Sequence, residues 1–184
     1  MRALGISFSG RQRGNCDRCL AYSLKQLGSD SAAVYIRKHP ITPCGGCEYI
    51  CFSGALCPKK DPMDDIVDKC TQADVILWAL PTYRGHLPSA YFAFSERLEG
   101  YVQRGVDIEK TILKKVHIIL IGNATAGAKI ARDEILADLG FYDPGFVMLS
   151  SREYHRRSID GDLIEAEPVK QKLDRFIQCI LNRS

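Results

Sequence analysis

Five short apolar runs, separated by helix-like stretches, constrain the fold of this chain more than any other feature. Each run is continuously apolar rather than alternating, which is typical of parallel strands that helices cover on both faces. A strand followed by a helix, repeated five times, predicts an α/β protein with an open, doubly wound, three-layer α/β/α sandwich. The predicted strands are residues 3–8, 34–36, 75–80, 116–121 and 146–149, and the predicted helices are residues 15–27, 63–71, 89–103, 128–139 and 168–181.

Length and charge narrow the class of protein. A chain of 184 residues, 46% of them hydrophobic, is long enough for one domain with a full core, so we expect a single domain over residues 1–184. The formal net charge of +3 is too small to indicate nucleic acid or an acidic membrane as a partner. Residues 1–15 contain no apolar stretch of signal-peptide length, and residues 116–122, the most apolar run, are far too short to span a membrane. We therefore expect a cytoplasmic protein that binds a small molecule.

Eight cysteines in a chain without a secretion signal indicate metal binding or redox chemistry rather than disulfides. Four of them follow the spacing C-x2-C-x3-C-x5-C within an insertion at about residues 38–62 that has no predicted strand or helix. Four thiolates this close together can bind one [4Fe-4S] cluster or one zinc ion, and free thiols are the third alternative. The predicted metal ligands are Cys44, Cys47, Cys51 and Cys57.

The remaining cysteines are less informative. Cys16 and Cys19 lie at the start of a predicted helix, where a thiolate would be stabilised, but the absence of a thioredoxin-like order of elements argues against a redox pair. Cys70 and Cys179 have apolar neighbours on helical faces, and we expect both to be core residues.

The segment between the first predicted strand and the first predicted helix is suited to an anion. Residues 9–16, with the sequence SGRQRGNC, offer backbone N–H groups at a helix start together with hydroxyl, amide and guanidinium donors. The spacing is neither that of a dinucleotide fold nor that of a P-loop, which favours a mononucleotide phosphate. The alternative is an ordinary turn capped by Asn15.

Two further loops are expected at the same edge of the sheet, because the carboxyl ends of parallel strands lie together. Residues 80–88, with the sequence LPTYRGHLP, follow the third strand, and residues 122–127, with the sequence GNATAG, follow the fourth. Proline, glycine and tyrosine let the backbone approach a flat ring closely and contact its face or edge. A plain Pro/Gly turn with Tyr83 as a packing residue is the alternative.

These loops resemble the NADPH-dependent FMN reductase and iron–sulfur flavoprotein group. The group has Ser-x-Arg followed by Gly-Asn in its first loop and Pro-Val-Tyr-x-Gly in its second, which this chain matches at Ser9, Arg11, Gly14, Asn15, Pro81, Tyr83 and Gly85. Gly10 replaces the usual proline, Cys16 replaces a hydroxyl residue, and Thr82 replaces the valine. The iron–sulfur flavoproteins carry a compact cysteine motif at the same place, typically with two residues between the second and third cysteines, whereas this chain has three.

The resemblance implies a flavodoxin-like fold with strand order 2-1-3-4-5 and a bound FMN. The implied FMN-binding residues are Ser7, Ser9, Arg11, Asn15 and Cys16 in the first loop, Pro81, Thr82, Tyr83, Arg84 and Gly85 in the second, and Asn123, Ala124 and Gly127 in the third. His86 and Arg84 could orient a nicotinamide, and Arg152, His155, Arg156 and Arg157 form a basic patch that either binds the adenosine phosphate of NADPH or is a solvated face. No catalytic acid or base is assigned.

Three functions remain open after this comparison of motifs. The first is an oxidoreductase that passes electrons from NAD(P)H to a flavin, a quinone or another small acceptor. The second is an iron–sulfur electron carrier that receives electrons from ferredoxin. The third is a zinc-binding regulatory module on the same scaffold. Resemblance also implies a homodimer or homotetramer.

Overall fold

A five-stranded parallel sheet with the order β2-β1-β3-β4-β5 organises the structure, which is a computed structural model describing residues 1–140 and 144–182. The predicted flavodoxin-like sheet is thereby confirmed, including its strand order. The strands are β1 Ala3–Ser7, β2 Ser31–Tyr35, β3 Val75–Pro81, β4 Val116–Gly122 and β5 Gly145–Ser150. Only β2 is displaced from its prediction, because it is an edge strand with exposed alanines whose position is set by pairing of Ala3 with Ser31 rather than by apolar residues.

Helices connect the strands and cover both faces of the sheet. They are α1 Asn15–Leu27, α2 Met63–Gln72, α3 Ser89–Val102, α4 Ile108–Thr111, α5 Thr125–Leu139 and α6 Glu167–Leu181. The sequence analysis missed α4, a single turn that Asp107 caps by accepting a hydrogen bond from the backbone N–H of Lys110. No helix in the two described ranges is both long and apolar enough to cross a membrane.

Alternate residues of the central strands point to two separate cores. On one face Ile76, Trp78 and Leu80 pack beneath α3 and α5, and Trp78 makes edge-to-face contacts at 5.8–5.9 Å with three other rings, those of Phe8, Tyr91 and Phe94. On the other face Val75, Leu77 and Ala79 pack beneath α1 and α6. Such aromatic clusters and two-sided burial fix the sheet between its helical layers.

A glycine sets the distance between α1 and the sheet. A Cβ at Gly5, in the middle of β1, would lie 2.7 Å from Leu24 Cδ1 and 2.9 Å from Leu20 Cδ1. The two leucines therefore occupy the space that a side chain at this position would need. This close packing lets α1 lie directly against β1.

The cysteine-rich segment is attached to α3 by a buried ion pair. Arg97 Nη1 donates to Asp61 Oδ2 at 2.6 Å and to the carbonyl oxygen of Thr42 at 2.9 Å, and only about a twentieth of either charged side chain is exposed. Burial alone would raise the pKa of Asp61, but the hydrogen bonds from Arg97 and from two backbone N–H groups outweigh it and hold that pKa below its ordinary value. The pair ties both ends of the segment to the core.

The two isolated cysteines behave differently. Cys70 is buried within α2, and burial raises the pKa of its thiol to about 12. Cys179 is exposed on α6, so the expectation that it is a core residue was wrong. Its apolar neighbours Ile177 and Ile180 are buried against the sheet, whereas Cys179 lies at the margin of that face, on the wall of an open cavity beside β5.

Filling the space at Gly5 should destabilise the fold. We expect Gly5→Ala to lower the free energy of unfolding by about 1–3 kcal/mol, since the added methyl group overpacks the contact with Leu20 and Leu24. Chemical denaturation monitored by circular dichroism measures the change. Gly100→Ala is the control, because its Cβ would make only an ordinary contact at 3.7 Å and alanine favours the helix. Equal stability of Gly5→Ala and wild type would contradict the packing described.

Breaking the buried ion pair should change both stability and its pH dependence. Asp61→Asn should lower the free energy of unfolding by about 3 kcal/mol at pH 7, because it leaves the Arg97 charge without its partner. Since the folded-state pKa of Asp61 lies below the unfolded one, the contribution is complete above about pH 5 and is lost as pH falls through the folded-state value. The variant should therefore lose less stability than wild type on acidification.

The exposed pair of Arg157 and Asp160, at 3.8 Å, supplies the control for this experiment. Asp160→Asn should change the free energy of unfolding by no more than about 0.5 kcal/mol, because exposed ion pairs contribute little. Denaturant midpoints measured between pH 3 and pH 8 test both variants. Parallel pH profiles for Asp61→Asn and wild type would rule out the assigned role of the pair.

Candidate functional site

Three loops meet at the carboxyl edge of the sheet and enclose a cleft of about 120 Å³. They follow β1, β3 and β4, as the sequence predicted. The cleft is lined by Ser9, Arg11, Asn15, Cys16, Pro81, Thr82, Tyr83, Ile121, Gly122, Asn123 and Ser158. Eight of these residues were predicted to bind the cofactor, and the structure brings them together.

The first loop leaves the start of α1 open toward the cleft. Ser9 Oγ accepts a hydrogen bond from the backbone N–H of Arg11 at 3.1 Å, and Arg13 adopts the left-handed conformation at φ 56°. The N-cap is Gly14, and no side chain caps the helix. The alternative of a turn capped by Asn15 is therefore wrong: Asn15 is the first helical residue. A helix start without a side-chain acceptor favours an anion.

A buried carboxylate shapes this loop from behind. Asp17 accepts hydrogen bonds from the Ser7 hydroxyl and from the Arg13 backbone N–H, both at 2.8 Å. Arg37, just beyond β2, pairs with both oxygens of Asp17 at 2.8 and 3.0 Å. The arginine compensates the negative charge that would otherwise repel an anion.

The sequence analysis missed both members of this pair. An acidic residue in the first turn of a helix was a visible signal for Asp17, but nothing local marked Arg37, which lies 20 residues away. The same contacts place Ser7 behind the cleft, where its hydroxyl is engaged by Asp17 rather than lining the cavity.

The second loop is a tight hairpin held by a helix. Tyr83 and His86 exchange backbone hydrogen bonds at 2.9 and 3.1 Å, and the two residues between them have positive φ. Glu134 of α5 accepts from the Leu87 backbone N–H at 2.9 Å and contacts His86 Nδ1 at 2.6 Å. Burial disfavours the charged form of Glu134, but these hydrogen bonds outweigh it and lower its pKa. Tyr83 remains about half exposed at the mouth of the cleft.

Glycines let the second and third loops touch. A Cβ at Gly127 would lie 3.1 Å from the Cα of Gly85, which therefore occupies the space that a side chain at Gly127 would need, and Gly85 itself has φ +89°. Gly85 and Gly127, together with Arg84 and Ala124, lie outside the lining of the cleft. The two glycines hold its walls together instead.

The basic patch is partly neutralised. Arg156 pairs with Asp162 at 2.7 Å and Arg157 lies 3.8 Å from Asp160, both within the segment that follows β5. The same segment brings Ser158 to the cleft, a position that the sequence analysis did not predict. No local pattern pointed to it, because its contacts are with residues more than 140 positions away.

A second cavity lies beside the cysteine-rich segment. It measures about 260 Å³ and is lined by all four cysteines of the motif, by aromatic and aliphatic residues of the same segment and by residues of α3 that include Arg97. Within residues 1–140 and 144–182, no three side chains of His, Cys, Asp or Glu are arranged to hold a metal ion. The structure therefore gathers the predicted ligands around one space without forming a ready coordination site.

The Cys16–Cys19 pair is buried at the start of α1. Burial raises the pKa of Cys19 to about 12, and burial together with the nearby Cys19 and Asp17 raises that of Cys16. Thiols with raised pKa values are poor nucleophiles at neutral pH. This agrees with the argument against a redox role for the pair.

Comparisons with known proteins identify relatives of the chain. It is 33% identical over 100 residues to an iron–sulfur flavoprotein of Methanosarcina thermophila, covering 53% of this chain and 52% of the relative. An iron–sulfur flavoprotein of Archaeoglobus fulgidus is 27% identical over 136 residues, covering 72% of this chain and 68% of the relative. The chain thus spans about half the length of the first of these relatives.

Solved structures share the fold at low sequence identity. The NAD(P)H:quinone oxidoreductase from Methanothermobacter marburgensis superposes with a TM-score of 0.65 at 14% identity, over 99% of this chain and 94% of that one. The Trp repressor binding protein from Bacillus subtilis gives 0.65 at 16% identity, over 95% and 96% of the two chains.

The family model for NADPH-dependent FMN reductase matches residues 1–148. That range contains β1 to β4, the first four residues of β5 and the three loops of the cleft. The chain therefore belongs to the NADPH-dependent FMN reductase family.

Proposed function

We propose that the protein is an FMN-dependent oxidoreductase that moves electrons from NAD(P)H to a flavin, a quinone or another small acceptor. The observation that carries the proposal is the cleft in which the uncapped start of α1 meets Arg11, Asn15 and the loops after β3 and β4. Family membership supports it, because the match includes every one of these loops.

The donors of the first loop fit a phosphate monoester. The start of α1 offers backbone N–H groups and the positive end of a helix dipole, and Arg11, Asn15 and Ser9 line the same cleft. A cleft of about 120 Å³ is of the size of a phosphate with the adjoining chain atoms rather than of a whole nucleotide. The ring system would therefore extend from the cleft to its mouth, where Tyr83 is half exposed.

The second and third loops fit a flat ring at that position. Tyr83 presents a half-exposed aromatic face, and Thr82, Gly122 and Asn123 supply polar and small groups beside it. Arg84 and His86 lie in the same hairpin as Tyr83 and would offer positive charge or a hydrogen-bond donor to a ring bound there. Such groups favour a ring that gains negative charge on reduction.

Bound FMN would supply the hydride- and electron-accepting chemistry, and the chain would bind and orient it. Glu134 holds the Tyr83–His86 hairpin in place and fixes the His86 ring, so that Nε2 faces away from the carboxylate. Asp17 and Arg37 hold in place the first loop, which would bind the phosphate. No residue of the cleft is assigned as an acid or base.

A second candidate function is that of an iron–sulfur electron carrier which receives electrons from ferredoxin. The observation that favours it is the single cavity lined by Cys44, Cys47, Cys51 and Cys57. The charge of Arg97 is already paired with Asp61, but Lys59 and Arg104 also line this cavity and would offset part of the negative charge of four thiolates. Because no described group is arranged for a metal, the segment would have to close around a [4Fe-4S] cluster or a zinc ion, and free thiols are the remaining alternative.

Assembly and the regulatory alternative follow from the same site. We propose a homodimer or homotetramer, since exposed Tyr49, Phe52 and Leu56 on the cysteine-rich segment provide apolar surface for an interface.

A zinc-binding regulatory module would retain the four-cysteine cavity without using the cleft. Stoichiometric zinc in a protein that does not bind flavin would support that alternative.

The proposed activity predicts a specific optical result. Purified protein incubated with FMN should show bound-flavin absorption bands, and anaerobic addition of NADPH or NADH should bleach them. The expectation follows from the open α1 start and the three-loop cleft. Absence of flavin binding would refute the proposal, whereas flavin bands that neither nicotinamide bleaches would favour the electron carrier.

The cysteine cavity predicts a separable metal phenotype. If the protein is reconstituted anaerobically with iron and sulfide, wild type should hold about four irons, and Cys51→Ser should lose most of them while retaining FMN. Cys179→Ser is the matched control, because Cys179 is exposed on α6 and far from the motif in sequence. Iron, zinc and acid-labile sulfide analysis measures the outcome. Wild-type protein that binds no iron would contradict the electron-carrier function and favour a simple reductase with free thiols.

A further inference from the structure

A short segment after β5 covers the first loop of the cleft. We call residues 158–163 the strap. They follow the end of the family match at residue 148, so the match assigns them no role. Ser158 lines the cleft together with Arg11 and Asn15, and Leu163 is fully buried at the other end of the strap.

The strap holds two side chains of the proposed phosphate site. The carbonyl oxygen of Ser158 accepts hydrogen bonds from Arg11 Nη1 at 2.8 Å and from Asn15 Nδ2 at 3.4 Å. Asn15 Oδ1 in turn accepts from the Leu163 backbone N–H at 3.1 Å. Arg11 is otherwise exposed, so this contact fixes a long side chain that would be free to move in solvent.

Backbone contacts lock the strap onto the loop. Gly161 has φ +73°, and a Cβ at this position would lie 3.0 Å from the carbonyl oxygen of Arg13. The carbonyl oxygen of Gly161 accepts from Arg18 Nη1 at 2.9 Å. A side chain at Gly161 would therefore both strain the strap and push it away from the first loop.

We infer that the strap positions Arg11 and Asn15 for the phosphate end of a flavin mononucleotide, and so makes the site selective for FMN over riboflavin. The inference rests on the proposed FMN function. Its physical basis is preorganisation: one of the Arg11 nitrogens and the Asn15 amide are held by the strap before the ligand arrives, so binding requires less ordering of side chains. Guanidinium nitrogens of Arg11 other than Nη1 are available to the phosphate.

Moving the strap should weaken binding of the phosphate alone. We expect Gly161→Ala to raise the dissociation constant of FMN about tenfold, the effect of weakening one charge-assisted hydrogen bond, and to leave that of riboflavin unchanged. Quenching of flavin fluorescence measures both constants. Gly105→Ala is the matched control, because Gly105 has a similar φ of +81° but no atom within 4 Å of its Cβ position. It should change neither constant.

The possible outcomes distinguish failure of the inference about the strap from failure of the proposed function. If wild type does not bind FMN, the proposed function fails and the inference fails with it. If wild type binds FMN and Gly161→Ala binds it equally well, only the inference fails. Equal weakening of FMN and riboflavin would also overturn it, since the strap would then only support the fold.

A second variant keeps the test decisive if Gly161→Ala does not fold. Arg18→Met removes the hydrogen bond to the Gly161 carbonyl, together with an exposed ion pair to Glu165, without backbone strain. It should weaken FMN binding about threefold, as expected for a partly loosened contact, with riboflavin binding unchanged. Unchanged FMN binding in this folded variant would overturn the inference.

Discussion

Parallel pairing of β1, β3 and β4 is the constraint on which the site depends. The ladder continues past the strands, since the Phe8 N–H donates to the Ala79 carbonyl at 3.0 Å and the Thr82 N–H donates to the Ile121 carbonyl at 2.9 Å. Each of these bonds fixes the first residue of a loop. The loops after the three strands therefore leave the sheet at neighbouring points and in the same direction.

A second constraint is that the charge of the buried Asp17 in the first loop must be compensated. A buried carboxylate stands next to a site suited to an anion, which would be unfavourable if it were alone. Asp17 is tolerated because Arg37 and two hydrogen-bond donors surround it. Asp17, at the start of α1, thereby holds the first loop in place through the Arg13 N–H. Its pair with Arg37 links the end of the edge strand β2 to a site at the centre of the sheet.

The fold was predictable from the sequence to the level of strand order. Continuous apolar runs identify buried parallel strands, and the resemblance of the loops supplied the order in the sheet. Element ends were less predictable, as in β2, whose alanines are exposed and whose extent depends on the pairing partner. Burial of Cys70 but not Cys179 shows the same limit, because apolar neighbours in sequence do not specify which side of a helix faces the core.

The sequence by itself determined the parallel sheet, the three loops and the clustering of four cysteines, because these depend on local composition and spacing. Only the tertiary structure decided which groups complete the cleft. Arg37 and Glu134 hold the loops of the cleft in place and Ser158 lines it, and each comes from another part of the chain. Contacts across 20, 48 and 147 residues depend on how helices and strands pack, and no local pattern encodes them. For the same reason the tertiary structure, not the spacing of the motif, decided that the four cysteines surround one cavity without forming a ready metal site.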